Sequence, residues 1–175
     1  MLHPAQEPGS VPAIEMLGAK PFLAHWVGDG LLLGNLPYLP THVDALAEQG
    51  VGMVVNLCED KEYWDGQRPA LEVAYAWSGV DERRIPLRDV SAPTPRILTQ
   101  ALAVGREACE RGLNLAVHCF GGRERSATLI TAIRADTTGE DVWKTLRAIQ
   151  RIAPYARPLG SQQRALARWQ AARSL

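Results

Sequence analysis

Apolar and polar positions along this chain fall into alternating strand-like and helix-like segments. The run VGMVVNLC (Val51–Cys58) is rich in β-branched residues and ends at a charged patch, which predicts a buried central strand. LNLAVHC (Leu113–Cys119) predicts a second buried strand for the same reason. Two short strands flank the Gly-Asp-Gly turn at 28–30. Another lies in RRIPLRDV (83–90) and must end near Asp89, because the prolines of SAPTP cannot continue a sheet.

Helical spacing appears in the segments between these strands. Thr94 and Pro95 form a favourable helix start, and the apolar positions that follow recur at helical intervals up to Gly112: Ile97, Ala101, Val104 and Ala108. Thr41 is expected to cap a helix over Thr41–Gln49, with Asp44 at its third position and Gly50 closing it. The other predicted helices are Ser126–Ala135, Gly139–Ile152 and about Ser161–Ser174. The segment Leu71–Trp77 fits a helix or a strand equally well.

This alternation predicts the α/β class, with a central, mainly parallel sheet flanked by helices on both faces. The length of 175 residues suits a single domain. We expect that domain to span residues 23–175 and the proline-containing residues 1–22 to form a loosely ordered N-terminal arm.

Composition narrows the classes of function. The 19 basic and 19 acidic residues balance, so no overall field favours nucleic acid or an anionic membrane. No apolar run reaches the length of a membrane span, and residues 1–22 lack the patterns of a signal or transit peptide. The odd number of cysteines, without CxxC spacing, suits a reducing compartment, and we expect a cytoplasmic protein with Cys58 and Cys109 in its core. The cysteines and four histidines show no zinc spacing, so neither metal nor cofactor is expected.

The stretch VHCFGGRERSA (Val117–Ala127) carries the candidate chemistry. A strand that ends at Cys119, a glycine-rich turn and a helix that begins near Ser126 together form an anion site, because backbone N–H groups and the helix dipole converge there. Gly121 and Gly122 allow close approach of the backbone to a ligand. Arg125 can grip two phosphoryl oxygens with its planar fork. A cysteine in this setting is favoured as a thiolate, which makes Cys119 the candidate nucleophile for attack on phosphorus.

The reaction also needs a proton donor for the departing oxygen, and Asp89 is the candidate. One helix and one strand separate it from Cys119, so a right-handed crossover brings both residues to the carboxyl edge of the sheet. Asp81 and Glu82 precede the predicted strand and are expected at its opposite end. Ser126 can donate a hydrogen bond to the sulfur, while His118 is expected to orient the loop.

The residues His118 to Ser126 resemble the signature H-C-x5-R-[S/T] of the cysteine-dependent protein tyrosine phosphatase superfamily. GDGLLLGNLP, GVGMVVNLCED and the position of Asp89 extend the similarity to the compact dual-specificity phosphatases, from about Trp26 to Trp169. Within that family the chain is most similar to the mitochondrial-type phosphatidylglycerophosphate phosphatases, through LLLGNLP, CEDKEYW, LRDVSAPTP and RIAPYARP. The resemblance implies a dual-specificity phosphatase fold and hydrolysis of phosphomonoesters through a phosphocysteine, without a metal.

The chain departs from the family pattern inside the loop. Phe120-Gly121 stands where Lys-Ala is common, so one basic contact to substrate is missing. The remaining loop residues, Gly122, Arg123 and Glu124, complete the predicted substrate-binding set, and Arg123 is a candidate replacement for the missing charge. Glu59, Asp60 and Tyr63 of the acidic segment CEDKEYW are either substrate contacts or part of a solvated loop.

These residues leave the substrate open between a phosphoprotein and a lipid headgroup phosphate. Lipid access would need only peripheral contact with a membrane, for which Trp26 and Trp64 are candidates. Two other functions compete: a pseudophosphatase that binds phosphorylated partners, against which the intact Cys119, Arg125 and Ser126 argue, and rhodanese-like sulfur transfer, which leaves Asp89 unexplained.

Overall fold

A computed structural model describes residues 14–16 and 21–173. In this part of the chain, six strands form one sheet: β1 (Ile14–Met16), β2 (Phe22–Trp26), β3 (Leu31–Gly34), β4 (Val51–Asn56), β5 (Asp81–Arg84) and β6 (Asn114–His118). The strand order is β1-β2-β3-β6-β4-β5. The β1–β2 and β2–β3 pairs are antiparallel, whereas β3–β6, β6–β4 and β4–β5 are parallel. The predicted α/β class with a mainly parallel sheet is therefore confirmed.

Helices cover both faces of the sheet: α1 (Pro40–Glu48), α2 (Gln67–Ser78), α3 (Pro95–Glu110), α4 (Arg125–Thr138), α5 (Val142–Ile152) and α6 (Gly160–Arg173). One core cluster contains apolar residues of α3 to α6, and the other contains those of α1 and α2. Strands β4 and β6 contribute to both clusters, since their successive side chains point to opposite faces. Two-sided burial explains their nearly continuous apolar sequences.

Several local predictions agree with the structure. Thr94 caps α3 by accepting a hydrogen bond from the amide of Ile97, and Gly112 takes a positive φ of 66° beyond its end. The ambiguous segment Leu71–Trp77 lies in α2, whose buried positions include Leu71, Ala74 and Tyr75. The last helix is described as far as Arg173, so its predicted end at Ser174 lies outside the described residues.

The start of α1 differs from the prediction. Leu39 is the N-cap and makes no side-chain capping bond, and Pro40 takes the first helical turn. Thr41 is therefore already helical and does not cap. The fixed φ of proline suits the first turn of a helix, which outweighs the capping preference of the threonine that follows.

The strand before Asp89 was also misplaced. β5 spans Asp81–Arg84, so Asp81 and Glu82 lie within the strand and do not precede it. It is an edge strand of four half-buried charged residues, and Arg83 pairs with Asp81 and with Glu107. These ion pairs stabilise a strand made of charged residues. A prediction based on runs of apolar residues cannot detect such a strand. The apolar residues that suggested the strand follow it, and their amides still bond to β4: Ile85 N–H to Asn56 O and Leu87 N–H to Leu57 O.

Residues 14–16 belong to the segment predicted as a loose arm, yet they form β1 against β2. Ile14 is buried in the cluster on the α1 side of the sheet, which accounts for this pairing. Residues 1–13 and 17–20 lie outside the described part, so the arm and the domain boundary near residue 22 stay predictions.

Candidate active site

The turn between β6 and α4, residues 119–124, is the segment that the sequence predicts to bind phosphate, and we call it the phosphate loop. Gly122 within it has a φ of 68°, and a Cβ atom there would lie 2.9 Å from backbone atoms of Gly34 and Asn35. Only glycine fits this conformation and this close approach. The amide of Leu36 also donates to the carbonyl of Phe120 at 3.2 Å. The carboxyl end of β3 therefore supports the loop from behind.

Cys119 and Ser126 meet at the centre of this loop. The Cys119 sulfur is 3.3 Å from the hydroxyl oxygen of Ser126, and both residues are buried. Ser126 lies in the first turn of α4, directly after Arg125. A hydroxyl in this position can donate a hydrogen bond to a thiolate and stabilise it.

The guanidinium of Arg125 is held by a carboxylate from a different segment. Its Nη1 and Nη2 donate to the two carboxylate oxygens of Glu62 at 2.8 and 2.6 Å, and Nη1 also donates to the carbonyl of Leu87 at 3.0 Å. Burial raises the pKa of Glu62, but hydrogen bonds from Arg125 and from the Glu59 amide outweigh it, so the net pKa is lowered. Glu62 is therefore a carboxylate that fixes the arginine.

The second side of the Arg125 guanidinium, formed by Nε and Nη2, is occupied only in part: its Nη2 lies 3.3 Å from the exposed carboxylate of Asp89. Glu62 and Leu87 take both Nη1 protons and one Nη2 proton. Among residues 14–16 and 21–173, no hydrogen bond uses Nε. The second side of the guanidinium, formed by Nε and Nη2, can thus bind two phosphoryl oxygens.

Asp89 lies beside this fork. Its Oδ1 is 3.3 Å from Nη2 of Arg125, and its side chain is largely exposed. Asp89 therefore lies at the predicted edge of the sheet, near Arg125, although the strand before it ends five residues earlier, at Arg84. The structure therefore brings the predicted acid next to the predicted phosphate-binding arginine, and the roles of both residues stay predictions.

Glu62 was not predicted from the sequence, although it belongs to the acidic segment singled out there. The segment follows β4, and Asn56 at the end of β4 pairs with His118 of β6, so its residues reach the sheet edge that carries Cys119. A turn of 3-10 helix, Asp60–Glu62, directs Glu62 inward. Glu62 could have been predicted from the position of the acidic segment directly after β4, the strand that pairs with β6.

The other acidic-segment candidates have different partners. The Oε2 of Glu59 accepts the Asp89 amide at 3.4 Å and pairs with Lys61 at 3.1 Å. Asp60 pairs with Arg84 at 2.8 Å, and the Tyr63 hydroxyl accepts from Nδ2 of Asn56 at 2.7 Å. Asp60 and Tyr63 thus have structural contacts away from Cys119, whereas Glu59 touches the loop that bears Asp89.

His118 lies fully inside the protein at the end of β6. Burial lowers its pKa to about 3, with smaller effects from the Cys119 backbone, which raises it, and from Arg68 and Arg125, which lower it. The imidazole is therefore neutral near pH 7. Both of its ring nitrogens are buried without a hydrogen-bond partner among the described residues, so the orienting role of His118 stays a prediction.

The outer residues of the phosphate loop face two different surroundings. The ring of Phe120 meets that of Tyr38 edge-on at 6.0 Å, and Tyr38 stacks on Trp64 at 5.9 Å. On the other flank, Arg123 lines a cavity of about 390 Å³ together with Leu23, Asn35, Gly121 and Tyr155. Within the described part of the chain, the Arg123 side chain makes neither a hydrogen bond nor an ion pair.

Glu124 precedes α4, and its carbonyl accepts hydrogen bonds from the amide and hydroxyl of Thr128 at 2.9 and 2.7 Å. Trp26 differs from its prediction as a membrane-contact residue. Only 7% of its surface is exposed, because β2 packs it into the core cluster on the α1 side. Trp64 is exposed, as that prediction requires. No described helix has the length and apolar character needed to cross a membrane.

A mainly parallel sheet that presents a cysteine loop, followed at once by arginine and serine on a helix, defines a cysteine-dependent phosphatase. The chain belongs to the Tc-R-P family, the DSP-PTPase phosphatases of polymorphic toxin systems, whose model matches residues 37–138. The resemblance predicted from the signature is confirmed, and the chain is a phosphatase that hydrolyses phosphomonoesters.

Several solved structures share the fold of this chain. Tk-PTP in its active form is 25% identical, with a TM-score of 0.72 over 83% of this chain and 94% of that one. PTPMT1 in complex with PI(5)P is 24% identical, with a TM-score of 0.75 over 87% and 99%. Human DUSP28 is 24% identical, with a TM-score of 0.69 over 87% and 95%.

Proposed function

We propose that the protein hydrolyses phosphomonoesters through a phosphocysteine on Cys119. The observation that carries this proposal is the contact of 3.3 Å between the Cys119 sulfur and the Ser126 hydroxyl, which lie beside the guanidinium of Arg125 and the exposed carboxylate of Asp89. The loop amides and Arg125 would stabilise the charge on the equatorial oxygens of the transition state. No metal is needed for either step.

In the first step, the thiolate attacks phosphorus, an S–P bond forms and the ester P–O bond breaks. Protonated Asp89 gives its proton to the departing oxygen, which leaves as the alcohol. In the second step, Asp89 removes a proton from water as the water attacks phosphorus. The S–P bond breaks, inorganic phosphate forms and the thiolate returns, stabilised by the Ser126 hydroxyl.

Mutagenesis with aryl phosphates tests this scheme. Cys119→Ser should abolish turnover, and Asp89→Asn should make the rate depend strongly on the acidity of the leaving group. A chelator should have no effect. Turnover by Cys119→Ser protein would remove the nucleophile from the proposal, while tight phosphopeptide binding by wild-type protein without turnover would favour a pseudophosphatase.

For the substrate, we propose a phosphorylated lipid headgroup. The unpaired guanidinium of Arg123 and its adjoining cavity, next to the loop, suit a second anionic group. PTPMT1, which shares the fold, is recorded in complex with PI(5)P. A lipid phosphomonoester with a second phosphate would place one phosphate in the loop and the other beside Arg123.

The aromatic cluster of Phe120, Tyr38 and Trp64 favours a second candidate, a phosphoprotein. These rings border the loop on the side away from Arg123 and offer an apolar contact to a phosphotyrosine ring. A panel of PI(5)P, phosphatidylglycerophosphate and a phosphotyrosine peptide separates the candidates. Arg123→Gln should lower kcat/KM selectively for the lipids, and Phe120→Leu should lower it selectively for the peptide.

A further inference from the structure

The loop that carries Asp89 has a strained backbone. Val90, the next residue, has a φ of 53°, in the left-handed region that β-branched residues rarely adopt. Its side chain is 66% exposed, so burial does not offset the strain. A conformation of this kind persists only where surrounding contacts hold it, and such strain is often found at functional sites.

Contacts close to Val90 are long. The amide of Ser91 donates to the carbonyl of Arg88 at 3.2 Å, and its hydroxyl donates to the carbonyl of Asp89 at 3.4 Å. The amide of Asp89 reaches Glu59 only at 3.4 Å. Hydrogen bonds at these distances are weaker than at the usual 2.9 Å or so. The backbone of residues 89–91 therefore needs a shorter hydrogen bond from another part of the chain to hold its conformation.

Gln162, in the first turn of α6, provides that restraint. Its Nε2 donates to the carbonyl of Ser91 at 3.0 Å. Its Oε1 accepts from the hydroxyl of Thr128 at 3.1 Å and from the amide of Leu159 at 2.9 Å. The Gln162 side chain is fully buried, and its bond to Thr128 is shielded from solvent on both sides.

We propose that Gln162 is a positioning residue that holds the loop 89–91 and thereby aims Asp89 at the leaving group. The single hydroxyl proton of Thr128 is shared between Oε1 of Gln162 at 3.1 Å and the carbonyl of Glu124, immediately before Arg125, at 2.7 Å. One buried amide thus fixes the loop of Asp89 relative to the helix of Arg125 and Ser126. This inference rests on the proposed role of Asp89 as the acid.

Two substitutions separate this role from packing. Gln162→Glu keeps both acceptor bonds but replaces the donor to Ser91 with an oxygen, which repels the carbonyl. Gln162→Met keeps the length of the side chain and removes all three bonds. Gln163→Met is the matched control, since the adjacent glutamine donates to the carbonyl of Pro158 at 2.9 Å and makes no contact with the loop 89–91.

The experiment measures kcat/KM of the full chain for aryl phosphates with leaving groups of increasing pKa. Because a positioned general acid contributes on the order of 100-fold or more, Gln162→Glu should lose about 10-fold for weakly acidic phenols and less than about 2-fold for nitrophenols. In an Asp89→Asn background, Gln162→Glu should cause no further loss. Gln163→Met should behave as wild type.

An equal loss for all leaving groups, or a full further loss in the Asp89→Asn background, would overturn the proposal and leave Gln162 a packing residue. If Gln162→Glu does not fold, the same outcomes are read from Gln162→Met. Failure of the proposed function has a different signature, because it requires turnover by Cys119→Ser protein or none by the wild type.

Discussion

Arg125 and Glu62 form a two-point ion pair at 2.6 and 2.8 Å between the phosphate-loop helix and the segment after β4. The pair is nearly buried, so water does not compete with it. It fixes the plane of the guanidinium before any substrate binds. The arginine is thus already oriented to stabilise negative charge, and no reorganisation is needed during the reaction. Burial by itself would lower the pKa of Arg125, but the hydrogen bonds and charge of Glu62 outweigh this effect. The net pKa is raised, so Arg125 stays positively charged.

The first prediction concerns this pair. Glu62→Gln leaves a single acceptor for two guanidinium N–H groups, and the buried charge loses its partner. Breaking a buried ion pair costs about 3 kcal/mol or more, so both the free energy of unfolding and kcat/KM should fall clearly. Denaturant unfolding and aryl phosphate kinetics measure the two effects. Glu72→Gln is the control, since this exposed carboxylate has Arg68 as its one ion-pair partner among the described residues and should change stability by less than about 0.5 kcal/mol. Wild-type activity in Glu62→Gln would contradict the prediction.

The second prediction concerns the glycines of the phosphate loop. Gly122→Ala places a methyl group 2.9 Å from the backbone of Gly34 and Asn35 and forces a left-handed alanine, which alone costs about 1–2 kcal/mol. We expect lower stability and severe loss of activity. Gly121→Ala meets only the flexible side chain of Arg123, at 3.9 Å, and should fold as wild type. Similar melting temperatures for both variants would show that the loop can move away from β3.

The third prediction concerns the second chemical step. Ser126→Ala removes the hydroxyl beside the sulfur, and a hydrogen bond to a charged group contributes about 1.5–3 kcal/mol. The thiolate then leaves phosphorus more slowly, so rapid-mixing kinetics should show a burst of aryl product and a kcat reduced about 10- to 100-fold. Thr131→Val is the control, because that buried hydroxyl on the same helix bonds to the carbonyl of Ala127. A slower first step without a burst would argue against this role for Ser126.

The fourth prediction concerns pH and His118. Its pKa is about 3 in the folded protein, against a usual value near 6.5, so the unfolded chain binds a proton that the folded protein excludes. Above pH 6.5 the ring is neutral in both states and costs no stability. As pH falls from 6.5 towards 3, the free energy of unfolding decreases by about 1 kcal/mol per pH unit. Equilibrium unfolding between pH 5 and 6.5, above most carboxylate titrations, measures it. His118→Asn should flatten the dependence in this window, and an unchanged slope would assign it to other groups.

The signature loop and the central strands could be predicted because their signals are local. The apolar runs of β4 and β6 reflect burial on both faces, and the Thr94-Pro95 start of α3 is a contact between near neighbours. The order Cys119, two glycines, Arg125 and Ser126 likewise specifies an anion-binding turn with a nucleophile. The position of Asp89 needed one further rule, the handedness of the crossover.

Long-range contacts were decided by the tertiary structure. Glu62 meets Arg125 across 63 residues and Gln162 meets Ser91 across 71, and neither pairing leaves a periodic trace in the sequence. The charged strand β5 is stabilised by the ion pairs of Arg83 with Asp81 and Glu107, and Trp26 is buried because β2 places it in the core cluster on the α1 side. The sequence determined which side chains are candidates for the chemistry, since reactivity resides in residue types at short spacing. The tertiary structure alone decided which residues position these side chains, because Glu62 and Gln162 are brought to the site by the order of the strands and the packing of the helices.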